Sequence, residues 1–129
     1  MKYSKATNYA LHALLFMIKN NGDVQRIPVQ DLAKALGIST TYLSKILTRL
    51  VKVGVISASS GAKGGYQLSL NWQDVTIYEV ITTIDGKQSL FEDSFNHGDS
   101  CPINKLMIEA EQALIGSLKK KAKGSHINN

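Results

Sequence analysis

The chain has 129 residues, 43% hydrophobic and 19% charged, with a net charge of +5. That is one ordinary domain with a modest core, and the balance excludes a disordered polymer. The longest apolar run, Ala13–Ile18, is too short to cross a membrane, and the single cysteine, Cys101, excludes a disulfide framework and a four-thiolate zinc site within one chain.

The three histidines, His12, His97 and His126, form no metal-ligand spacing. Lys2 and Lys5 precede an apolar stretch, but no small-residue cleavage site follows, so a cytoplasmic protein is expected. Residues 1–75 carry nine Lys/Arg against three Asp/Glu, whereas residues 76–129 carry six against seven. The basic excess in the first half suits contact with a polyanion there.

In chain order, residues 4–19 are apolar almost all round and lack Gly and Pro, which predicts a helix buried on more than one side. Asn20-Asn21-Gly22-Asp23 ends it. Pro28 opens a short second helix, with Asp31 at its positive end, an apolar face of Leu32, Ala33 and Leu36, and Gly37 as its stop. Ser39 is a good N-cap for a third helix over Thr40–Val53, closed by Gly54. Leu43, Ile46, Leu47 and Leu50 form its core stripe, and Thr41, Ser44, Lys45, Thr48, Arg49 and Lys52 lie away from it. Two helices joined by so tight a turn make a helix-turn-helix.

"VISASS" and "YQLSL" alternate as strands around "GAKGG", a glycine-containing loop that predicts a hairpin, hence a wing after the helix-turn-helix. Thr76 and Glu79 form a capping box that opens a fourth helix, with Val75 and Val80 as its staple and Ile77, Val80, Ile81 and Ile84 facing inward. A polar loop over residues 86–100 follows. Pro102 then starts a last amphipathic helix, with Cys101 as N-cap, of roughly 18 residues and about 27 Å. Its length predicts a dimerisation helix, followed by a frayed tail from Lys119 to Lys123. The expected fold is mainly α: a winged helix-turn-helix with a two-stranded β-hairpin wing and a long C-terminal dimerisation helix. Residues 1–75 form the DNA-binding part; residues 76–129 hold the fourth helix, a sensing loop and the dimerisation helix, as one compact unit with the first.

Glycines beside Lys63 also suggest a nucleotide phosphate loop. A Walker loop, however, needs G-x-x-x-x-G-K-[ST] leading into a helix, whereas here the lysine precedes its glycine pair and a strand follows. The dinucleotide fingerprint is absent and no catalytic motif places a serine, histidine and carboxylate, so an enzyme is not expected.

"KATNYALHALLFM", "IPVQDLAKALGISTTYLSKILTRLVKVGVI", "GAKGGYQL" and "VTIYEVITTIDG" together closely resemble the Rrf2 family of bacterial winged-helix transcription regulators, over about residues 1–118. "YLSKIL" followed some twenty residues later by "GAKGGYQL" is more specific than a generic helix-turn-helix. The resemblance implies a homodimer on an operator of two-fold symmetry, and a sensing segment between the fourth and last helices. In several members three cysteines of that segment hold an iron–sulfur cluster. Here only Cys101 remains; residues such as Ser89 and Phe95 stand for the other two, and Asn104 stands where a histidine ligand occurs, so no cofactor is expected. Many members have glutamate at the position of Ser44 and arginine at that of Ser60, so the operators of relatives do not transfer.

For double-stranded DNA, Thr41, Ser44 and Lys45 are expected at base edges, Lys45 having the reach for guanine acceptors. Ser39, Thr40, Tyr42 and Arg49 are expected at the backbone, which positions without specifying. The alternative for Tyr42 is a half-buried packing residue. In the wing, Ser60, Lys63, Gly64, Gly65 and Tyr66 are candidates, Tyr66 more as an anchor of the hairpin than a stacking platform. Lys2, Tyr3 and Lys5 add phosphate contacts from the N-terminus. Cys101 is expected to be a small, partly buried capping residue; the alternatives for control are a thiol switch there, which a helix N-terminus favours and the nearby Asp99 opposes, or an unidentified protein partner or small molecule seated near the 86–100 loop.

Overall fold

A computed structural model describes residues 3–20, 26–87 and 101–121. The elements are α1 (Lys5–Lys19), α2 (Val29–Leu36), α3 (Thr40–Lys52), β1 (Ile56–Ser59), β2 (Gly65–Leu68), a 3-10 turn (Trp72–Asp74), α4 (Ile77–Asp85) and α5 (Pro102–Leu118).

Local chemistry accounts for most of the boundaries. The Ser4 hydroxyl accepts from Thr7 N–H and caps α1. Pro28 sits one position earlier than expected, as the N-cap of α2 rather than its first residue, and Gly37 ends that helix in the left-handed region at φ 71°. The Ser39 hydroxyl accepts from Tyr42 N–H at the start of α3, and Thr76 accepts from Glu79 N–H at the start of α4. Each such cap contributes about 1 kcal/mol.

The core joins α1 to α4 and the strands. Ala10, Ala13, Leu14 and Met17 of α1 meet Leu32 and Ala33 of α2, then Leu43, Ile46, Leu47 and Leu50 of α3. Val55, Ile56 and Leu68 close it from the hairpin, and Val75, Val80 and Ile84 from the α4 side. The Val75–Val80 staple is thus buried at both ends, and Trp72 packs half-buried against the same cluster. The shared core makes α1 to α4 one packed unit.

β1 and β2 pair antiparallel, Ile56 opposite Leu68 and Ser59 opposite Gly65. A third segment joins them. Ile27 and Tyr66 exchange both backbone hydrogen bonds at 2.8 Å, tying the wing to the residue that leads into α2. Gly65 permits this approach: its φ is +142°, and a Cβ there would stand 2.5 Å from the Ile27 carbonyl oxygen.

α5 differs from every other helix. None of its 17 residues is buried. Ile103 and Leu106 are each 63% exposed, and Ile108 is exposed beside them. Its C-terminal end is pinned, however. Thr76 and Lys121 form an antiparallel bridge, Lys121 Nζ lies 3.2 Å from Asp74 Oδ1, and Lys119 Nζ sits 5.3 Å over the Tyr78 ring. The expected fraying from Lys119 is corrected for residues 119–121. They return to the start of α4, where an aromatic face and a carboxylate meet their charges.

Candidate nucleic-acid interface

α3 buries one face and offers the other. Leu43, Leu47 and Leu50 are fully buried and Ile46 nearly so. Thr40, Thr41, Lys45, Thr48 and Lys52 are exposed, and Ser44 is half-buried. Positions 41, 45, 48 and 52 follow helical spacing, so the apolar stripe that fixes α3 in the core also fixes which side chains face outward. Lys45 makes no ion pair or hydrogen bond among the described residues. The Thr48 hydroxyl is used internally, donating to Ser44 O at 2.7 Å.

Two exposed residues of this helix also reach its neighbours. The Tyr42 ring meets Tyr9 of α1 edge to face, centroids 5.8 Å apart and planes at 89°. Tyr42 is still 40% exposed, which fits the packing role with an accessible hydroxyl. Arg49 was expected at the DNA backbone. The residue is exposed, and its Nη2 donates to Thr83 O at 2.9 Å and to Ile84 O at 2.7 Å. The physical reason is the C-terminus of α4, whose last carbonyls lack helical partners and attract a cation.

Beside that contact sits Asp85. Its Oδ2 accepts from Ser4 N–H at 3.0 Å and from the Thr7 hydroxyl at 2.8 Å. Thr7 is 0% exposed, and this bond satisfies its hydroxyl. Burial pushes the Asp85 carboxyl up, but the Ser4 and Thr7 hydrogen bonds and the Arg49 charge outweigh it and hold the group below the ordinary carboxylate range. Sequence reasoning missed both Asp85 and Thr7 as a polar pair, because 78 positions separate them.

The wing tip spans Ser60 to Gly64, with Gly64 N–H bonded to Gly61 O at 2.9 Å. Ser60 and Lys63 are exposed, and Lys63 has no partner among the described residues. A Cβ on Gly64 would collide with Ser59 O and Ser60 C, so this glycine is required for space. Tyr66 is half-buried against the core, and its backbone pairs with Ile27, so it roots the hairpin. A cavity of about 330 Å³ opens between the wing and the start of α2, lined among others by Gln30, Ser59 and Gly61. Tyr3 and Lys5 are exposed at the start of α1, which Ser4 ties to the end of α4. Lys2 and residues 88–100 of the expected 86–100 loop lie outside the described residues.

Comparison with known proteins places this arrangement. The family profile "Rrf2: Iron-dependent Transcriptional regulator" matches residues 3–122. The chain belongs to the Rrf2 family. It is 30% identical over 120 residues to protein aau3 of Rhizobium meliloti (strain 1021), covering 88% of this chain and 76% of that protein. It is 28% identical to the HTH-type transcriptional regulator IscR of Klebsiella pneumoniae (strain 342), covering 100% of this chain and 81% of that one. The structure of CymR (YrzC), the global cysteine regulator of B. subtilis, superposes with a TM-score of 0.82 at 23% identity, covering 96% of this chain and 95% of that one. That likeness shows the shared winged-helix fold.

The protein is therefore a DNA-binding transcriptional regulator of the Rrf2 family, a family of regulators and not of enzymes. The Rrf2 fold gives the outer face of α3 and the wing their setting. An Rrf2 iron–sulfur centre held by three cysteines does not fit this chain, since a single thiol, Cys101, is available to it. Among the described residues no group of His, Cys, Asp or Glu has the makings of a metal site, and no helix is long and apolar enough to cross a membrane.

Proposed function

We propose that this Rrf2 regulator acts as a homodimeric repressor on a palindromic operator, without an iron–sulfur cluster. The observation that carries the reading is α5. A 17-residue helix with no fully buried residue, which exposes Ile103, Leu106 and Ile108, needs a second surface. A second copy supplies one, because the same apolar face is present on both partners of a two-fold interface. Two copies then present two α3 helices, and a duplex that satisfies both is palindromic. Occupying such an operator blocks a promoter without any further activating surface, which favours repression.

In this reading Thr41, Ser44 and Lys45 meet base edges in the major groove. Hydroxyls bond several bases, so Lys45 supplies most of the discrimination. Ser39, Thr40 and the Tyr42 hydroxyl meet phosphates, and so do Lys63 and Ser60 from the wing. The test is selection of bound sites from random DNA by the purified protein. A palindrome with half-sites about 10 base pairs apart, or a multiple of that, supports the reading. A monomer that selects a lone half-site refutes it. A reporter behind the selected site should rise when the regulator is deleted.

A further inference from the structure

α3 is seated in the core by Leu43, Ile46, Leu47 and Leu50. Apolar packing of this kind is strong but non-directional. The stripe decides which face of α3 is buried, and a directional contact to a neighbouring helix adds a fixed point for its tilt. On α3 the long-range hydrogen bonds come from Arg49, whose Nη2 reaches Thr83 O and Ile84 O, 34 and 35 positions away. The next residue, Asp85, is bound by Ser4 N–H and Thr7 Oγ1 at the start of α1. The Arg49 contact and the Asp85 contacts therefore fall on neighbouring residues of α4, one tied to the flank of α3 and the other to the positive end of α1. Arg49 meets the terminus of α4 whose dipole favours a cation, and Asp85, the last residue of α4, is held by donors at the favourable end of α1.

We propose that Arg49 is a positioning residue for DNA binding. By tying α3 to the last turn of α4, in concert with Asp85, it sets the angle at which Thr41, Ser44 and Lys45 meet the duplex. It is not a phosphate contact. This rests on the assignment of those three side chains to base edges.

The sign of the Asp85 effect separates positioning from charge. Asp85→Asn removes a negative charge from a protein that binds a polyanion, and by charge alone it tightens binding to any DNA. Positioning gives the opposite at the operator. The experiment measures operator and random-DNA affinity of the full chain across a salt series, for Arg49→Met and Asp85→Asn, with melting and sedimentation as checks on fold and assembly. Arg49→Met is expected to weaken operator binding about ten-fold or more while the slope of log K against log salt is unchanged. Asp85→Asn is expected to weaken operator binding while random-DNA binding holds or tightens. The proposal is overturned if Arg49→Met flattens the slope by about 0.9 for each lost phosphate contact and weakens both DNAs alike. It is equally overturned if Asp85→Asn binds the operator as well as the parent chain. Should Arg49→Met fail to fold, the Asp85→Asn comparison decides alone. A parent chain with no sequence preference refutes the base-edge assignment first, and is recognised without any variant.

Discussion

Gly65→Ala is the sharpest probe of how the wing is rooted. The added Cβ would stand 2.5 Å from Ile27 O and 2.9 Å from Pro28 N, both backbone atoms that cannot rotate away. The φ of +142° is itself unfavourable for alanine, at about 1–3 kcal/mol. Moving the chain aside breaks the paired Ile27–Tyr66 hydrogen bonds, about 1 kcal/mol each in net terms. Alanine offsets some of this by stiffening the unfolded chain, about 0.4–1 kcal/mol. The balance is a loss of about 3 kcal/mol, or roughly 10 °C in Tm for a domain of this size. Gly61→Ala is the internal control. Its φ is +101°, but nothing lies within 4 Å of the new Cβ. It retains the backbone strain and not the collision, so its loss is about 1–2 kcal/mol. Paired thermal and urea unfolding measures the difference. Equal losses for the two variants, or a Gly65→Ala loss under about 1 kcal/mol, would refute the idea that close approach to Ile27 anchors the wing.

Further expectations concern the interface, the assembly and pH. Lys45→Ala should weaken operator binding more than random-DNA binding, whereas Lys63→Ala should weaken both and reduce the salt slope; an equal loss on both DNAs for Lys45→Ala counts against base reading. Leu106→Glu should shift the protein to a monomer in sedimentation while its melting stays cooperative, because Leu106 is 63% exposed on its own chain. Acidification should destabilise the fold through Asp85. Its folded pKa lies below the unfolded value, so its contribution is complete above the ordinary carboxylate range and is lost as pH falls through the folded value. The stability gap between the parent chain and Asp85→Asn should therefore be largest near neutrality and close below about pH 4. Lys121→Ala should cost under about 1 kcal/mol, because the pair with Asp74 is 63% and 68% exposed.

The helix-turn-helix and its outer face were legible because their signals are short-range. Ser39 announces the start of α3, and the leucine–isoleucine stripe names its buried side within a few turns. Thr41, Ser44 and Lys45 follow by elimination. The wing was legible from "GAKGG", although Gly65 belongs to the strand rather than the loop. Tyr42 stood open between packing and contact, since a tyrosine at the rim of a stripe serves either; its edge-to-face contact with Tyr9 came only from the tertiary structure. The tie of Arg49 to α4 was not legible, for a clear reason. An exposed arginine on a recognition helix has the same local pattern whether it reaches outward or across to another helix.

By itself the sequence determined the order of helices and strands, their caps, the core stripe and the basic excess of the first half. These depend on periodicity and on backbone groups within one turn of the side chain that satisfies them. Tertiary structure alone decided which distant groups meet: Ile27 with Tyr66, Arg49 with the last carbonyls of α4, Asp85 with Thr7, and Lys121 with Thr76. Each joins segments far apart in the chain, where no short-range pattern marks the partner. Each satisfies a donor, an acceptor or a charge that the helices and strands leave open at their ends and edges.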